Sequence, residues 1–503
     1  MDFIDPAKQR KHKVRILVGY LLVALAILLT TVVLLFLAYG YGFGKNGQLI
    51  QSGLVFVSSS PNPAQIYLNN NLSASTTNSR LQLPAGQYTL KLDRSGYRPW
   101  IRSLGVEGGS VEHFDYPLLF PTNLVTTTVQ QYTTKPGLIL QSPDKRWLLI
   151  QQPGDTNSFY DYDLNNQKQL ASTLTTVTLP TNLVTTTTGT QIWQLVQWST
   201  DNRHILLQHV YQGGSEYILL DRQTPTASVN LTKTLNLNTT TRVSLKNNSY
   251  NQYYLFDPAA KTLTTNTLTS TLVTPVLSQV LAFKSYGNNV FLYVTSNGAP
   301  SGKVDIDVLQ GSTNSIIQHV PISTQYLLDV TQYSGNWFIV AGTVSEDKVY
   351  VYENPMSQLQ GQPNLPLVPI YILKVNQPNY VAFSGNAQFI MAEGGDSFAV
   401  YDAENTKGYV YDITYPLAAG QHATWMNGDQ ITLVGSSNIV VFDYDDANQQ
   451  TLQPALADST PFFDASYKWS YVLAPAQPKS GQSTSQAAQF LLTSTALRLP
   501  ADQ

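Results

Sequence analysis

Hydrophobic and polar positions divide the chain into one long apolar run and a much longer region of short, alternating segments. Residues 16–44 carry no charge, and residues 16–38 include sixteen Leu, Ile, Val or Phe. Such a run favours bilayer insertion by roughly 5 to 10 kcal/mol, and as a helix it rises about 35 Å against a hydrocarbon layer of ~30 Å. The apolar part of a cleaved signal peptide has only ~7 to 15 residues. The pattern therefore predicts a retained transmembrane helix at residues 16–39, with the lipid bilayer as its partner.

The charges beside the apolar run predict its orientation. Five basic residues lie within residues 1–15, whereas Lys45 is the one charged residue between the run and Arg80. Basic flanks stay on the cytoplasmic side of a membrane. We therefore expect residues 1–15 to be a cytoplasmic tail, residues 40–52 to be a short stalk, and the rest of the chain to be extracytoplasmic.

Strand-like segments follow the stalk. Residues 54–58 are largely apolar, and residues 88–92 alternate between polar and apolar side chains. A period of two is typical of a β-strand with one buried face. The pattern predicts a small β-domain over residues 53–118.

Three segments of this β-domain resemble the PEGA domain, a module of bacterial surface proteins. They are residues 57–69, the Leu-Pro-Ala-Gly stretch at 83–86 with the strand after it, and the Gly-Tyr-Arg-Pro-Trp stretch at 96–100. The motif that names the family is reduced here to Pro-Asn-Pro-Ala at 61–64. The resemblance implies a small transthyretin-like β-sandwich that serves as an accessory, envelope-facing module and brings no catalytic residues. Tyr97 and Trp100 are weak candidates for an aromatic sugar platform, although core packing is the favoured interpretation.

Residues 119–503 contain a repeat. The phrase Pro-Thr-Asn-Leu-Val-Thr-Thr-Thr occurs at 121–128 and again at 180–187, 59 residues later. Apolar strands that end on an acidic turn recur at intervals of 36 to 58 residues, with a mean near 47. The acidic residues are Asp163, Asp221, Asp257, Asp307, Glu353, Asp402 and Asp443. Intervals of about this length are typical of β-propeller blades.

A second repeating feature, a polar turn followed by an apolar strand, precedes most of these acidic residues. The Trp-Ser-x-Asp-x-x-x-Ile copy at 198–205 resembles the blades of TolB-like or WD40-like propellers. Seven acidic turns and one degenerate copy predict eight blades, with seven as the alternative. The short interval from Asp221 to Asp257 suggests a blade that lacks a strand. A strand near residues 124–129 is expected to complete the last blade, because an open ring would leave an unpaired edge.

Composition narrows the functional classes. Charged residues make up 12% of the chain, and Tyr, Phe and Trp number 30, 18 and 7. This content excludes a coiled coil and global disorder and favours a packed β-protein. Residues 16–503 carry 24 basic and 30 acidic groups, so no basic surface for nucleic acid is expected. The absence of cysteine removes thiolate nucleophiles and thiolate metal sites.

Motifs for catalysis or cofactor binding are absent from the sequence. His204 and His209 lie at odd spacing on one predicted strand, so they face opposite sides and are interpreted as packed residues. Weak calcium candidates are Asp161, Asp163, Asp443 and Asp445. These carboxylates coincide with the repeating turn, where Asp accepts turn hydrogen bonds, so we favour turn chemistry and predict no metal, cofactor or catalytic residue.

The sequence therefore predicts a membrane-anchored bacterial envelope protein that is not an enzyme. Its main role would be to bind surface glycan, cell-wall polymer or another protein. Two alternatives stay open: a propeller hydrolase or lyase with a site in the central channel, and a structural subunit of a secretion or surface-appendage complex.

Overall fold

The computed structural model describes residues 6–38, 40–43, 49–167, 170–172, 174–270, 272–287, 289–359, 367–476 and 489–503. The first element is helix α1, Pro6–Ala38. Its segment Arg10–Phe36 is long and apolar enough to cross a membrane, and among the described residues no other helix meets that test. Leu17 and Leu34 on this helix are 67% and 60% exposed. An exposed apolar helix surface is more stable in lipid than in water.

The chain folds as two compact units. Unit 1 comprises Met1–Asn123 together with Arg498–Asp502, and unit 2 comprises Leu124–Leu497 with Gln503. The strands of unit 1 are β1 Tyr41–Phe43, β2 Leu49–Val57, β3 Gln65–Leu68, β4 Asn71–Thr76, β5 Ser79–Pro84, β6 Gly86–Asp93, β7 Trp100–Val106 and β8 Val111–Phe114.

Unit 1 is a sandwich of two sheets. In one sheet β2 pairs with β1, β5 and β8, and the other has the order β4-β3-β6-β7. Both sheets contribute to one core, with Val55 and Leu83 from the first and Ile66 and Leu90 from the second. Because apolar side chains alternate with polar ones along these strands, one face of each sheet is apolar and packs toward this core.

Two parts of unit 1 differ from expectation. Residues 40–52, expected to be a stalk, contain β1 and the start of β2, and Gly42 pairs with Ile50; residues 44–48 lie outside the described residues. Arg498–Asp502, which the sequence places in the propeller, belongs to unit 1. Its Arg498 is buried and donates through Nη1 to the Leu119 carbonyl (3.1 Å) and through Nη2 to Ser60 Oγ (2.9 Å).

Unit 2 is a β-propeller whose described residues form eight four-stranded antiparallel sheets. Blade 1 contains β10 Ile139–Gln141, β11 Trp147–Gln151, β12 Ser158–Asp163 and β13 Thr175–Thr178, and blade 2 contains β14 Gln191–Trp198, β15 His204–Tyr211, β16 Gly214–Asp221 and β17 Val229–Asn230. Blade 3 contains β18 Arg242–Leu245, β19 Gln252–Asp257, β20 Thr262–Thr267 and β21 Thr274–Ser278, and blade 4 contains β22 Val280–Tyr286, β23 Val290–Thr295, β24 Lys303–Gln310 and β25 Thr313–Pro321.

The remaining blades follow the same order. Blades 5 to 7 contain β26 Tyr326–Tyr333, β27 Asn336–Thr343, β28 Lys348–Glu353 and β29 Tyr371–Lys374; β30 Tyr380–Phe383, β31 Phe389–Gly394, β32 Ser397–Asp402 and β33 Lys407–Asp412; β34 Thr424–Trp425, β35 Gln430–Gly435, β36 Asn438–Asp443 and β37 Gln450–Pro454. Blade 8 contains β38 Phe462–Phe463, β39 Trp469–Pro475, β40 Phe490–Ala496 and β9 Val125–Tyr132. Short helices α2 Leu231–Thr234 and α3 Pro355–Leu359 follow blade strands.

The prediction of eight blades is confirmed, and so is the prediction that an early strand closes the ring. β9 pairs antiparallel with β40, so that Val125 lies opposite Ala496 and Tyr132 lies opposite Phe490. Blade 3, however, has all four strands, so the expectation of a missing strand is wrong. The short β17 of blade 2, with two residues, and the short β18 of blade 3, with four, both shorten the interval before Asp257.

The two repeating sequence features meet in five of the eight blades, as the described residues show. A side chain at the start of the second strand donates to the acidic residue at the end of the third strand. The pairs are Arg146 with Asp163, Arg203 with Asp221, Asn336 with Glu353, Gln388 with Asp402, and Gln430 with Asp443. In these blades the repeating residues therefore have a structural role, which is to link the second and third strands by a hydrogen bond.

Candidate functional site

The first strands of neighbouring blades lie next to one another and line the central channel, for example β22 beside β26 and β26 beside β30. A cavity of about 940 Å³ opens along the first strands of blades 2 to 5. Its wall mixes polar and apolar groups, including Gln197, Arg242, Ser244, Lys284 and Val330. A cavity of this size and mixed lining is typical of a small-molecule or side-chain binding site.

Five polar or charged side chains lie on, or just before, the first strands of five successive blades, and we call this set the channel belt. It consists of Arg242 on β18, Lys284 on β22, Asp329 on β26, Tyr380 on β30, and His422 just before β34. Each lies two to four residues before the last residue of its innermost strand, so the five occupy similar levels along the channel.

Contacts join the members of the channel belt. Lys284 Nζ lies 3.0 Å from Asp329 Oδ1. The Tyr380 ring stacks on the His422 ring with centroids 4.5 Å apart and planes 13° from parallel. Burial, followed by the charges of Glu393 and Asp329, raises the pKa of Tyr380. Arg242 is exposed, and among the described residues no carboxylate forms an ion pair with it.

Glu393 on β31 lies directly behind His422. Its Oε1 is 2.8 Å from His422 Nδ1, and its Oε2 accepts a hydrogen bond from the Ala423 backbone N–H at 2.7 Å. The Glu393 side chain is 1% exposed, whereas that of His422 is 35% exposed. Burial raises the pKa of Glu393, and its bonds to His422 and Ala423 oppose that rise. The pair therefore presents an imidazole edge to the channel with a carboxylate fixed behind it.

Lys145 lies in the polar turn that follows β10, the innermost strand of blade 1. It adopts a left-handed backbone conformation with φ of 58°, which is uncommon outside glycine and asparagine. Its Nζ donates to the Met426 carbonyl (2.6 Å) and to Tyr467 Oη (2.8 Å), so one side chain links blades 1, 7 and 8. Burial lowers the pKa of Lys145 to about 8.

The calcium candidates of blade 1 are held by guanidinium groups. Asp163 accepts from Arg146 Nε (3.0 Å) and Nη2 (2.7 Å), and this pairing lowers the pKa of Asp163. Asp161 Oδ2 accepts from Arg222 Nη1 at 2.9 Å. Burial raises the pKa of Asp161 to about 6 even though Arg222 opposes the rise.

The candidates of blade 7 lie in a turn. Asp443 accepts from Gln430 Nε2 (3.0 Å) and Asn448 Nδ2 (2.8 Å), and Asp445 follows two residues later in the same turn. Within the described ranges, no group of three or more His, Asp or Glu is placed to hold a metal ion.

The aromatic candidates and the two strand histidines are packed. Tyr97 and Trp100 are 4% and 2% exposed in the core of unit 1, so neither ring forms an exposed platform. His204 Nδ1 lies 2.6 Å from Asp201, and its ring stacks on Tyr250. His209 is fully buried, with Glu216 on one ring nitrogen and Gln191 on the other, each at 3.0 Å.

The channel belt could not be predicted from a sequence motif, because its members come from five repeats and differ in residue type. One signal was present: each member lies a few residues before the polar turn of its repeat, and the strand before that turn is the innermost strand of a propeller blade.

A family model for the PEGA domain matches residues 52–119. None of the curated proteins matches the chain. Among solved structures, an oligogalacturonate lyase in complex with manganese is 9% identical, with a TM-score of 0.39 over 73% of this chain and 100% of that one. The dihydro-heme d1 dehydrogenase NirN is 12% identical, with a TM-score of 0.39 over 82% and 76%. An uncharacterized protein from Listeria monocytogenes EGD-e is 13% identical, with a TM-score of 0.37 over 67% and 93%. At such scores these likenesses carry no argument about function.

Proposed function

We propose that this chain is a membrane-anchored cell-envelope protein whose propeller binds a ligand in its central channel. In this proposal α1 is a retained anchor with the basic tail in the cytoplasm, and units 1 and 2 lie outside the membrane as a PEGA domain and a TolB-like propeller. The observation that carries it is the cavity of about 940 Å³ along the first strands of blades 2 to 5, whose wall includes Arg242 and Lys284 of the channel belt.

The chemistry of the belt favours binding over hydrolysis. A hydrolase of the serine or threonine type needs its nucleophilic hydroxyl within hydrogen-bond reach of a base. Among the described residues, no Ser or Thr hydroxyl bonds to His422, and its Tyr380 neighbour stacks on the ring. Arg242, Lys284 and Asp329 supply donors and an acceptor instead. Surface glycan or cell-wall polymer is the ligand class that we infer, with an envelope protein as the alternative.

Co-sedimentation of the detergent-solubilised full chain with insoluble cell-wall polysaccharide tests this function. Ser244 lines the cavity, so Ser244→Trp should fill it and abolish saturable co-sedimentation. Val410→Trp is the matched control, because Val410 is 59% exposed on the outer strand β33. Thermal unfolding of both variants establishes that they fold. Equal binding by folded Ser244→Trp and the wild type would show that the channel is not the site.

A further inference from the structure

His422 differs from the other described histidines of the propeller. His209 has both ring nitrogens engaged and is fully buried. His204 is flanked by two aspartates and its side chain is 13% exposed. His319 lies on the outer strand β25, away from the channel, and is bonded to Asp305 of the neighbouring strand β24. His422 is the one of these four that combines a fixed Nδ1, a 35% exposed side chain and a place in the channel.

Glu393 determines which ring nitrogen of His422 carries the proton. A buried carboxylate that accepts from Nδ1 favours the tautomer with hydrogen on Nδ1, which leaves a lone pair on Nε2. Tyr380 stacks on one face of the ring and holds its plane. No described side chain or backbone group bonds to Nε2. A preoriented acceptor therefore faces the channel.

We propose that His422 Nε2 accepts a hydrogen bond from a hydroxyl of a saccharide chain bound in the channel, with Glu393 as its positioning residue. This inference rests on the proposed function and adds to it the residue that contacts the saccharide and the residue that positions it. The belt offers acceptors at His422 and Asp329 and donors at Arg242, Lys284 and Tyr380. Hydroxyl groups both donate and accept, so a polyhydroxylated chain can bond to acceptors and donors alike.

Diethyl pyrocarbonate, which acylates the neutral imidazole nitrogen, tests the geometry without a known ligand. The full chain in detergent at mildly alkaline pH is modified and each histidine is followed by peptide mass mapping. His422 should react quickly, buried His209 should be protected, and Glu393→Gln should slow His422 several-fold while leaving His113 unchanged. His113 is the matched control because its side chain is 55% exposed in unit 1. A His422 that reacts no faster than His209 overturns the proposal.

A soluble cell-wall oligosaccharide then tests the ligand class. It should protect His422 but not His113 from modification. His422→Phe keeps an aromatic ring against Tyr380 and removes the acceptor, so oligosaccharide affinity should fall about three- to tenfold. Protection by peptides and not by the oligosaccharide would refute the saccharide assignment. Failure of the proposed function is distinguishable, because there the folded Ser244→Trp variant would still co-sediment while His422 keeps its high reactivity.

Discussion

Glu216 shows how the propeller keeps an ionised carboxylate inside a blade. Its side chain is 2% exposed, yet its oxygens accept hydrogen bonds from the Thr185 backbone N–H (2.7 Å) and Oγ1 (2.8 Å) and from Asn230 Nδ2 (2.7 Å). Burial alone would raise the pKa of Glu216, but the bonds from His209, Thr185 and Asn230 outweigh burial and lower it to about 2. The sequence did not reveal this network, because its members come from one loop and three strands.

This lowered pKa predicts an acid-dependent loss of stability. A carboxylate whose folded pKa lies below its unfolded value stabilises the fold above the unfolded value, 4.5 here, and loses that contribution as pH falls toward about 2. The full contribution is about 3 kcal/mol. The stability advantage of the wild type over Glu216→Gln, measured by urea unfolding, should therefore shrink by about that amount over this range. Glu107→Gln, at an exposed turn of unit 1, should show no such change, and a pH-independent difference for Glu216→Gln would contradict the prediction.

At the scale of elements, the sequence pattern predicted the strands and turns, because residues that are neighbours along the chain determine them. The strand periodicity, the polar turns and the acidic strand ends were all visible in the sequence, and blades 1, 2, 5, 6 and 7 use them in the same way. In blade 6, Gln388 just before the second strand donates to Asp402 at the end of the third at 3.2 Å. The channel belt was not visible, because His422 and Glu393 are 29 residues apart and meet only when blades 6 and 7 pack.

The strand-end acid should contribute measurably to the stability of a blade. Asp402 is fully buried and accepts from the Glu404 N–H (3.0 Å), the Asn405 N–H (3.2 Å) and Asn405 Nδ2 (2.8 Å). Asp402→Ala leaves these donors without their acceptor and should lower the free energy of unfolding by about 2 to 3 kcal/mol. Chemical denaturation measures the loss. Asp396→Ala, at an exposed turn of the same blade, should change it by no more than about 0.5 kcal/mol; similar losses in both variants would refute a specific role for Asp402.

At the scale of the whole molecule, counting repeats predicted the architecture more accurately than it predicted the limits of each unit. Seven acidic turns and one degenerate copy of the repeat correspond to eight blades. The membership of Arg498–Asp502 in unit 1 could not be predicted, since nothing in that short segment distinguishes it from the end of a blade. It is held there by side chains distant in sequence, such as Tyr97, whose Oη donates to Asp502 Oδ2 at 2.7 Å.

Membrane orientation is testable because the chain contains no cysteine. A single cysteine at exposed Asp396 in unit 2, introduced as Asp396→Cys, should react with a membrane-impermeant maleimide on intact cells. His12→Cys, among the basic residues before the apolar run, should react only after lysis. Labelling of His12→Cys alone on intact cells would reverse the proposed orientation. Equal labelling of both before lysis would contradict a sealed, single-pass arrangement.

The pairing of β9 with β40 has a consequence for how the protein is made. Nearly all of unit 2 must emerge from the ribosome between these two strands, and Arg498–Asp502 emerges later still. The ring of unit 2 therefore cannot close until β40 has been made. Until then, an unpaired strand edge is exposed at each end of the open ring, and such edges favour aggregation. The interval before β40 is made is accordingly the one in which unit 2 is most prone to pair with a strand of another chain.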